Sequence, residues 1–385
     1  MSEARLLFLQ GYADQPLAAA ELGYRDAAAF PDLAWSFRIL LAEAQVRKGQ
    51  AGSAVQLLAE EPGIALPREV LWRRWLSRSY ALCSASRYQE ADGSFATAEH
   101  VQLPDPALEA EFYLVKGRCD LIKREWATAA FWFNKAENSA QATQFTKMYA
   151  RMGLGRAAMQ SLNYEESERW YRRALEIEPG LAALPAQEAT LGNLGFAYFE
   201  LGEFSKALEH SRAAEELAGK IGLVQDRMSW LLDVGRAYDA TGQYGFAQEY
   251  YNKALAIARQ LGDQKIRAKA LHNLVQIDLF HGKLASAEEH QSEARNLNTE
   301  GDDLLQFNRD EAGIAAAKSD WTRAEHLLLE VLPELKNSPR LTWMVQADLA
   351  RVCVAQKKVQ AADQWFQRGI ATMENAAASM RRTEF

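Results

Sequence analysis

Small and apolar residues recur along the chain with the spacing of amphipathic helices. The clearest stretch carries them at Leu231, Val234, Gly235 and Tyr238, and again at Ala247, Tyr251 and Ala254. The first set follows the spacing i, i+3, i+4, i+7 and the second follows i, i+4, i+7, so each set lines one face of a helix. A glycine at position 242 separates them, as is typical of a helix end. The pattern predicts two antiparallel helices joined by a short turn.

This helix pair recurs nine times, at intervals of 37 to 40 residues. Its second helix is marked by a small residue at Ala54, Ala91, Ala129, Ser167, Ala207, Ala247, Ala287, Ala324 and Ala362. Its first helix is marked at Ala42, Ser79, Gly117, Gly155, Gly195, Gly235, Val275, Ala312 and Ala350. Small residues where two helices cross let them approach closely. Because one pair leaves an apolar face open, each repeat is expected to stack on the next.

The repeats resemble the tetratricopeptide repeat (TPR) family, most specifically between residues 150 and 298. The resemblance implies an all-α fold, a right-handed α-solenoid of about nine to ten antiparallel helix pairs. It also implies a protein that binds other proteins. We expect a repeat array over residues 34–372, a degenerate helix pair or cap over residues 1–33, and a helix end or connector over residues 373–385.

Composition and charge narrow the class of partner. The chain is 48% hydrophobic, which excludes global disorder, and its formal net charge is −7. Without a cationic face it is not expected to bind nucleic acid, although Arg73–Arg74 and Arg172–Arg173 are the patches through which RNA contact could occur. No apolar run is long enough to span a membrane, and the N-terminus does not read as a signal peptide. We therefore expect a cytoplasmic protein with no membrane partner.

Motifs for catalysis, cofactors and metals are missing from the sequence. The six histidines form no close ligand pair, and neither a phosphate loop nor a GxSxG elbow occurs. The three cysteines are too few and too scattered for a disulfide framework or a metal site, so we expect them to be buried thiols. The prediction is a non-enzyme without cofactor or metal.

Candidate binding residues follow from the resemblance, because first helices of TPR proteins line the concave surface. The residue after the first-helix small position points into that surface, and here it reads Glu43, Tyr80, Arg118, Arg156, Phe196, Arg236, Gln276, Gly313 and Arg351. Four of these nine are arginine. Two residues before the small position, the later repeats carry Asn193, Asp233, Asn273, Asp310 and Asp348.

We predict a groove that binds a protein or peptide segment, an acidic one in particular. Amides would hold its main chain and arginines its carboxylates. The predicted binding residues are Tyr80, Arg118, Arg156, Asn193, Phe196, Asp233, Arg236, His272, Asn273, Gln276 and Arg351. The alternative is that these side chains only solvate the inner face or form ion pairs such as Arg236 with Asp233.

The C-terminal end suggests a second function. The last helix starts near Val359 and no polar capping helix follows it. Residues 370–385 resemble the junction at which bacterial TPR arrays enter a caspase-like CHAT protease domain. The chain would then be the sensing or regulatory arm of a larger bacterial effector. Dimerisation through the uncapped end is another alternative, since exposed apolar patches mark contacts.

Overall fold

We describe the protein from a computed structural model. It describes residues 1–27, 29–101, 107–177, 180–297, 301–335 and 338–382. Within these ranges all regular secondary structure is helical. No described helix is long and apolar enough to cross a lipid bilayer.

Twenty α-helices follow one another in the described ranges, and a short 3₁₀ turn lies at Leu332–Glu334. Their bounds are α1 (Ser2–Leu9), α2 (Asp14–Asp26), α3 (Pro31–Arg47), α4 (Ala51–Ala59), α5 (Arg68–Ser84), α6 (Tyr88–His100), α7 (Ala107–Lys123), α8 (Trp126–Asn138), α9 (Gln144–Gln160), α10 (Tyr164–Leu175), α11 (Leu184–Glu200), α12 (Phe204–Ile221), α13 (Val224–Ala240), α14 (Tyr244–Leu261), α15 (Gln264–Phe280), α16 (Leu284–Arg295), α17 (Asp302–Ala317), α18 (Trp321–Val331), α19 (Pro339–Ala355) and α20 (Val359–Arg382). The last three residues of the predicted connector, 383–385, lie outside the described residues.

Eight of the nine predicted helix pairs are seen packed together: α3/α4, α5/α6, α7/α8, α9/α10, α13/α14, α15/α16, α17/α18 and α19/α20. The small residues that mark the second helices are all buried, with at most 3% of their surface exposed. Rings fill the space above the first-helix glycines: a Cβ on Gly235 would come within 2.4 Å of Tyr251, and one on Gly155 within 3.0 Å of Tyr171. Close helix packing therefore depends on these small residues.

The turn inside each pair uses the left-handed backbone conformation. One residue per turn has a positive φ, between 60° and 77°. These residues are Gly49, Ser86, Arg124, Leu162, Gly202, Gly242, Gly282, Ser319 and Lys357. Only four are glycine, so a search for glycine alone finds fewer than half of these turns.

The chain divides into two compact units. The N-terminal unit comprises residues 1–202 and 216–223, and the C-terminal unit comprises residues 203–215 and 224–385. Trp72, Leu82 and Phe133 are among the buried side chains of the N-terminal unit. Tyr251 and Leu271 lie in the core of the C-terminal unit.

Two of the three cysteines are paired, which corrects the expectation of thiols. Cys83 in α5 and Cys119 in α7 form a disulfide, with Cα atoms 5.5 Å apart. Their separation of 36 residues is close to one repeat. Because the consecutive first helices α5 and α7 pack side by side, the two cysteines meet. Cys353 is a free, buried thiol.

The Arg73–Arg74 pair does not form an exposed cationic patch. Arg74 is fully buried, and its guanidinium lies 4.7 Å from the ring of Trp75 and 5.5 Å from that of Trp35. Arg73 forms ion pairs with Glu69 and Glu111. Both arginines thus stabilise packing around α5.

Candidate functional site

Five first helices of the N-terminal unit line a cavity of about 390 Å³. These helices are α3, α5, α7, α9 and α11. The polar side chains that line it are Glu43, Arg47, Tyr80, Arg118, Tyr149, Arg156, Tyr171 and Asn193. The volume is in the range of known sites for small molecules and peptide side chains.

Four predicted binding residues meet in this cavity: Tyr80, Arg118, Arg156 and Asn193. The first three occupy one position of consecutive repeats, 38 residues apart. Because repeats stack with constant register, side chains at one position form a row along the inner face. The structure therefore brings together residues far apart in sequence.

Arg118 and Arg156 keep their charges available. Within the part of the chain that the structure describes, neither forms a hydrogen bond or an ion pair. The guanidinium of Arg118 lies 4.9 Å from the ring centroid of Tyr149 and 5.9 Å from that of Tyr80. Stacking on aromatic rings holds it in place without neutralising it. Arg156 is exposed at the cavity wall.

Arg47 adds a third positive charge. Burial lowers the pKa of its guanidinium, and the charge of Arg118 acts in the same direction, against the opposing effects of Tyr149, Tyr80 and Glu43. Arginine nonetheless stays protonated in proteins. The lowered pKa therefore indicates a desolvated environment in which an anion would bind more strongly than in water.

The single carboxylate of the cavity is already paired. Glu43 accepts a hydrogen bond of 2.7 Å from the Ser77 hydroxyl through Oε1. Its other oxygen pairs with the guanidinium of Arg5. The charges of Arg47, Arg118 and Arg156 thus dominate the remaining surface of the cavity.

The Tyr171 hydroxyl reaches the cavity wall without a partner. The side chain is 1% exposed, and among the described residues its hydroxyl has no hydrogen-bond partner. Burial raises its pKa, with the charge of Arg156 opposing. A buried hydroxyl without a partner is costly, so a ligand atom that bonds to it gains affinity.

Phe196 is the fifth predicted residue of the N-terminal unit. It is half-buried, and its ring lies 6.5 Å from that of Tyr164 in an edge-to-face arrangement. It does not line the cavity. Phe196 therefore contributes to the packing of α11 against α10.

The other six predicted residues lie in the C-terminal unit, and most of them are paired. Arg236 bonds to Asp233 one turn away in α13, at 3.1 Å. His272 and Gln276 of α15 both bond to Asp310 of α17, and the His272 Nδ1 to Asp310 Oδ2 distance is 2.7 Å. Asp310 is fully buried. These contacts agree with the alternative that the polar side chains of this face pair with one another.

Arg351 and Asn273 complete this group. Arg351 of α19 is exposed and forms an ion pair of 3.2 Å with Asp348. Asp348 also accepts a bond of 2.6 Å from Arg309 of α17. Asn273 is half-buried in α15. In the C-terminal unit, polar side chains of the first helices thus connect neighbouring repeats.

The prediction missed Arg47, Tyr149 and Tyr171. Arg47 lies four residues after Glu43, and Tyr149 lies seven residues before Arg156. Both offsets return to the same helix face, so helical periodicity could have found them. Tyr171 gave no such signal, because it belongs to a second helix whose ring reaches the cavity over Gly155.

The described residues contain no group of three or more histidine, cysteine or carboxylate side chains that could hold a metal ion.

Comparison with known protein families identifies the repeats. Tetratricopeptide repeat profiles match residues 149–180 and residues 226–300. The chain contains tetratricopeptide repeats in these two stretches. Among curated proteins, it is 36% identical over 80 residues to outer dynein arm-docking complex subunit 4 of Danio rerio. That alignment covers 20% of the chain and 16% of the relative, so it concerns a few repeats only.

Solved structures confirm the predicted solenoid fold class. The apo form of RapI matches with a TM-score of 0.75 at 14% identity, covering 89% of this chain and 98% of RapI. Aspartyl phosphate phosphatase F from Bacillus subtilis matches at 0.61 and 17% identity, covering 88% and 94%. NprR in complex with its cognate peptide NprX matches at 0.53 and 16% identity, covering 74% and 84%. Identities this low establish the fold, not the activity. The predicted resemblance to CHAT-protease arms is not shown by these comparisons.

Proposed function

We propose that this protein is a non-catalytic scaffold that binds a protein or peptide segment in the cavity of its N-terminal unit. The observation that carries the proposal is the pair Arg118 and Arg156, two guanidinium groups without an ion pair at one cavity. Arginines that have no ion-pair partner favour an anionic ligand. NprR, whose fold is similar, was solved in complex with its cognate peptide NprX, which supports a peptide as the ligand.

The chemistry of the cavity favours an acidic segment. Arg118 and Arg156 would each bind a carboxylate through two parallel N–H donors. The Asn193 amide offers both a donor and an acceptor to the main chain of the ligand. Tyr80 and Tyr149 supply apolar surface beside these polar groups. The combination selects for a carboxylate flanked by an apolar side chain.

Substitution of both arginines tests the proposal. The ligand is first captured from lysate of the source cells on the intact protein, and its affinity is then measured by calorimetry. Arg118→Ala with Arg156→Ala should weaken it at least about tenfold, because each lost charge-assisted bond costs about 1.5–3 kcal/mol. Arg169→Ala, an exposed arginine of α10, is the matched control and should bind normally. Normal binding by the double variant would refute the assignment.

The role as a regulatory arm of a larger bacterial effector stays a second prediction. It depends on the sequence that follows Phe385 in the gene. An effector domain in the same reading frame would support it, and an immediate stop codon would contradict it.

A further inference from the structure

The inner face of the N-terminal unit holds a segment of the chain itself, residues 1–12, which we call the N-terminal arm. Its helix α1 reaches over two first helices. Arg5 pairs with Glu43 of α3 and lies 3.9 Å from Glu111 of α7. Since Glu43 and Glu111 come from different repeats, the arm crosses the row of first helices.

Main-chain groups at the end of α1 are bound by side chains of the groove. Arg47 Nη1 donates to the carbonyl oxygens of Phe8, at 2.6 Å, and Tyr12, at 2.9 Å. The Tyr149 hydroxyl donates to the carbonyl oxygen of Leu9, at 2.9 Å. The last carbonyl groups of a helix lack partners within the helix, so cationic and hydroxyl donors suit them. Arg47 and Tyr149 therefore recognise a helix end rather than a side chain.

The aromatic residue of the arm also has a defined site. The guanidinium of Arg47 lies 4.0 Å from the ring centroid of Phe8, and that of Arg5 lies 5.3 Å from it. A second cavity of about 70 Å³ lies beside Phe8 and Leu9, between the arm and helices α5, α7 and α9. The ring is thus held by cation–π contact at the border of an incompletely filled apolar space.

The turn after α1 fits closely against α11. The Gln10 amide donates to the carbonyl oxygen of Leu181, at 3.1 Å. Gly11 has a φ of +104°, and a Cβ there would lie 3.1 Å from the Cβ of Pro185. A side chain at position 11 would be strained in both respects. The arm thus ends beside the cavity that contains Arg118 and Arg156, and Phe8 and Gly11 form part of its lining.

We propose that this face is a groove for a short helix, recognised by its C-terminal carbonyl groups, and that the N-terminal arm competes there with an external segment of the same chemistry. Such a segment has an arginine that pairs with Glu43 and Glu111 and an aromatic residue three positions after it. A turn follows the end of its helix. The inference deepens the proposed function, because a ligand that enters this way reaches Arg118 and Arg156 next. The intact chain then binds its ligand with an affinity reduced by the fraction of molecules in which the arm is bound.

A synthetic peptide of residues 1–12, labelled with a fluorophore, tests the proposal on the full chain. Arg5→Glu places a carboxylate against Glu43 and Glu111 and should release the arm. We expect this variant to bind the labelled peptide about tenfold more tightly than the unmodified chain. Amide hydrogens of residues 2–12 should exchange faster in the variant by a similar factor. Glu3→Lys, an exposed change on the same helix, is the control and should alter neither measurement.

Phe8→Ala gives an independent variant that releases the arm without a change of charge, and it should also tighten binding. Adding Arg47→Ala to Arg5→Glu should abolish binding of the labelled peptide, because the carbonyl contacts are lost. Equal peptide affinity in the unmodified chain and both release variants would overturn the proposal, as would binding that survives without Arg47. A failure of the proposed function can be distinguished from a failure of this proposal, because its test measures the captured ligand on the Arg118→Ala, Arg156→Ala variant.

Discussion

Gly235 and Gly155 show how single residues determine the packing of each repeat. Each lies under an aromatic ring of the paired helix, Tyr251 over Gly235 and Tyr171 over Gly155. Both rings are buried, and neither hydroxyl has a hydrogen-bond partner among the described residues. Apolar contact area therefore fixes these rings, and their polar ends oppose it.

A methyl group at position 235 tests this packing. Gly235→Ala would bring a Cβ within 2.4 Å of the Tyr251 ring, so the ring or the helix has to move. We expect a loss of about 1–3 kcal/mol in the free energy of unfolding, measured by urea denaturation.

Gly93→Ala in α6 is the matched control. A Cβ there meets no atom within 4 Å, so alanine should stabilise the helix by about 0.5–1 kcal/mol. Equal effects of the two substitutions would contradict the packing argument.

Periodicity predicted the row of Tyr80, Arg118 and Arg156, because one helical position repeats along the array. The Arg236–Asp233 pair was expected as an alternative and is present, but periodicity could not show that Arg118 and Arg156 stay unpaired. Whether an arginine is paired depends on which side chains of neighbouring helices it reaches. Its place in the repeat alone does not determine this. The same limit applies to Tyr171, whose ring crosses from a second helix.

Helices of neighbouring repeats are connected by charged side chains as well as by apolar contact. Glu293 of α16 accepts bonds from Arg259 of α14, at 3.0 Å, and from Arg267 of α15, at 3.1 Å. The hydrogen bond from Arg259 is the largest cause of the lowered pKa of Glu293, with burial opposing. One carboxylate thus links three consecutive helices.

The lowered pKa makes this link dependent on pH. A carboxylate with a lowered folded-state pKa contributes stability above its ordinary pKa of 4.5, and that contribution is lost as the pH falls through the folded-state value. Glu293→Gln should lower the melting temperature at pH 7 by about 1–3 °C, since the pair is partly exposed. The difference should shrink as the pH falls below 4.5 and vanish once the pH is below the folded-state pKa. Glu289→Gln, an exposed neighbour, should show little change, and an equal effect would contradict the assignment.

At the scale of the whole chain, the sequence predicted the helix pairs because small residues recur with a nearly constant period. The repeat pattern holds no information about contacts that break it. The N-terminal arm is such a contact, since Tyr149 bonds to Leu9 across 140 residues. The disulfide could be predicted in part. Its two cysteines are about one repeat apart in sequence, so they can meet once consecutive first helices are known to pack together.

Helix α20 leaves an apolar stripe exposed. Phe366, Ile370 and Met373 follow the spacing i, i+4, i+7 and are 42%, 47% and 47% exposed. We expect a second copy to cover this stripe, as an exposed apolar row favours self-association. Sedimentation equilibrium should show a concentration-dependent dimer, and Phe366→Glu with Ile370→Glu should remain monomeric. Gln367→Glu is the control on the same helix. A monomeric wild-type chain at ~100 µM would contradict this prediction.

The turns inside the repeats allow a comparison that few proteins offer. One backbone conformation, left-handed at a single residue, occurs nine times with glycine, serine, arginine, leucine or lysine. Non-glycine residues bear a steric cost in that conformation. Exchanging side chains among these turns would measure that cost in one molecule, with the neighbouring helices kept alike by the repeat. The chain is in this sense a natural host–guest series for the left-handed conformation.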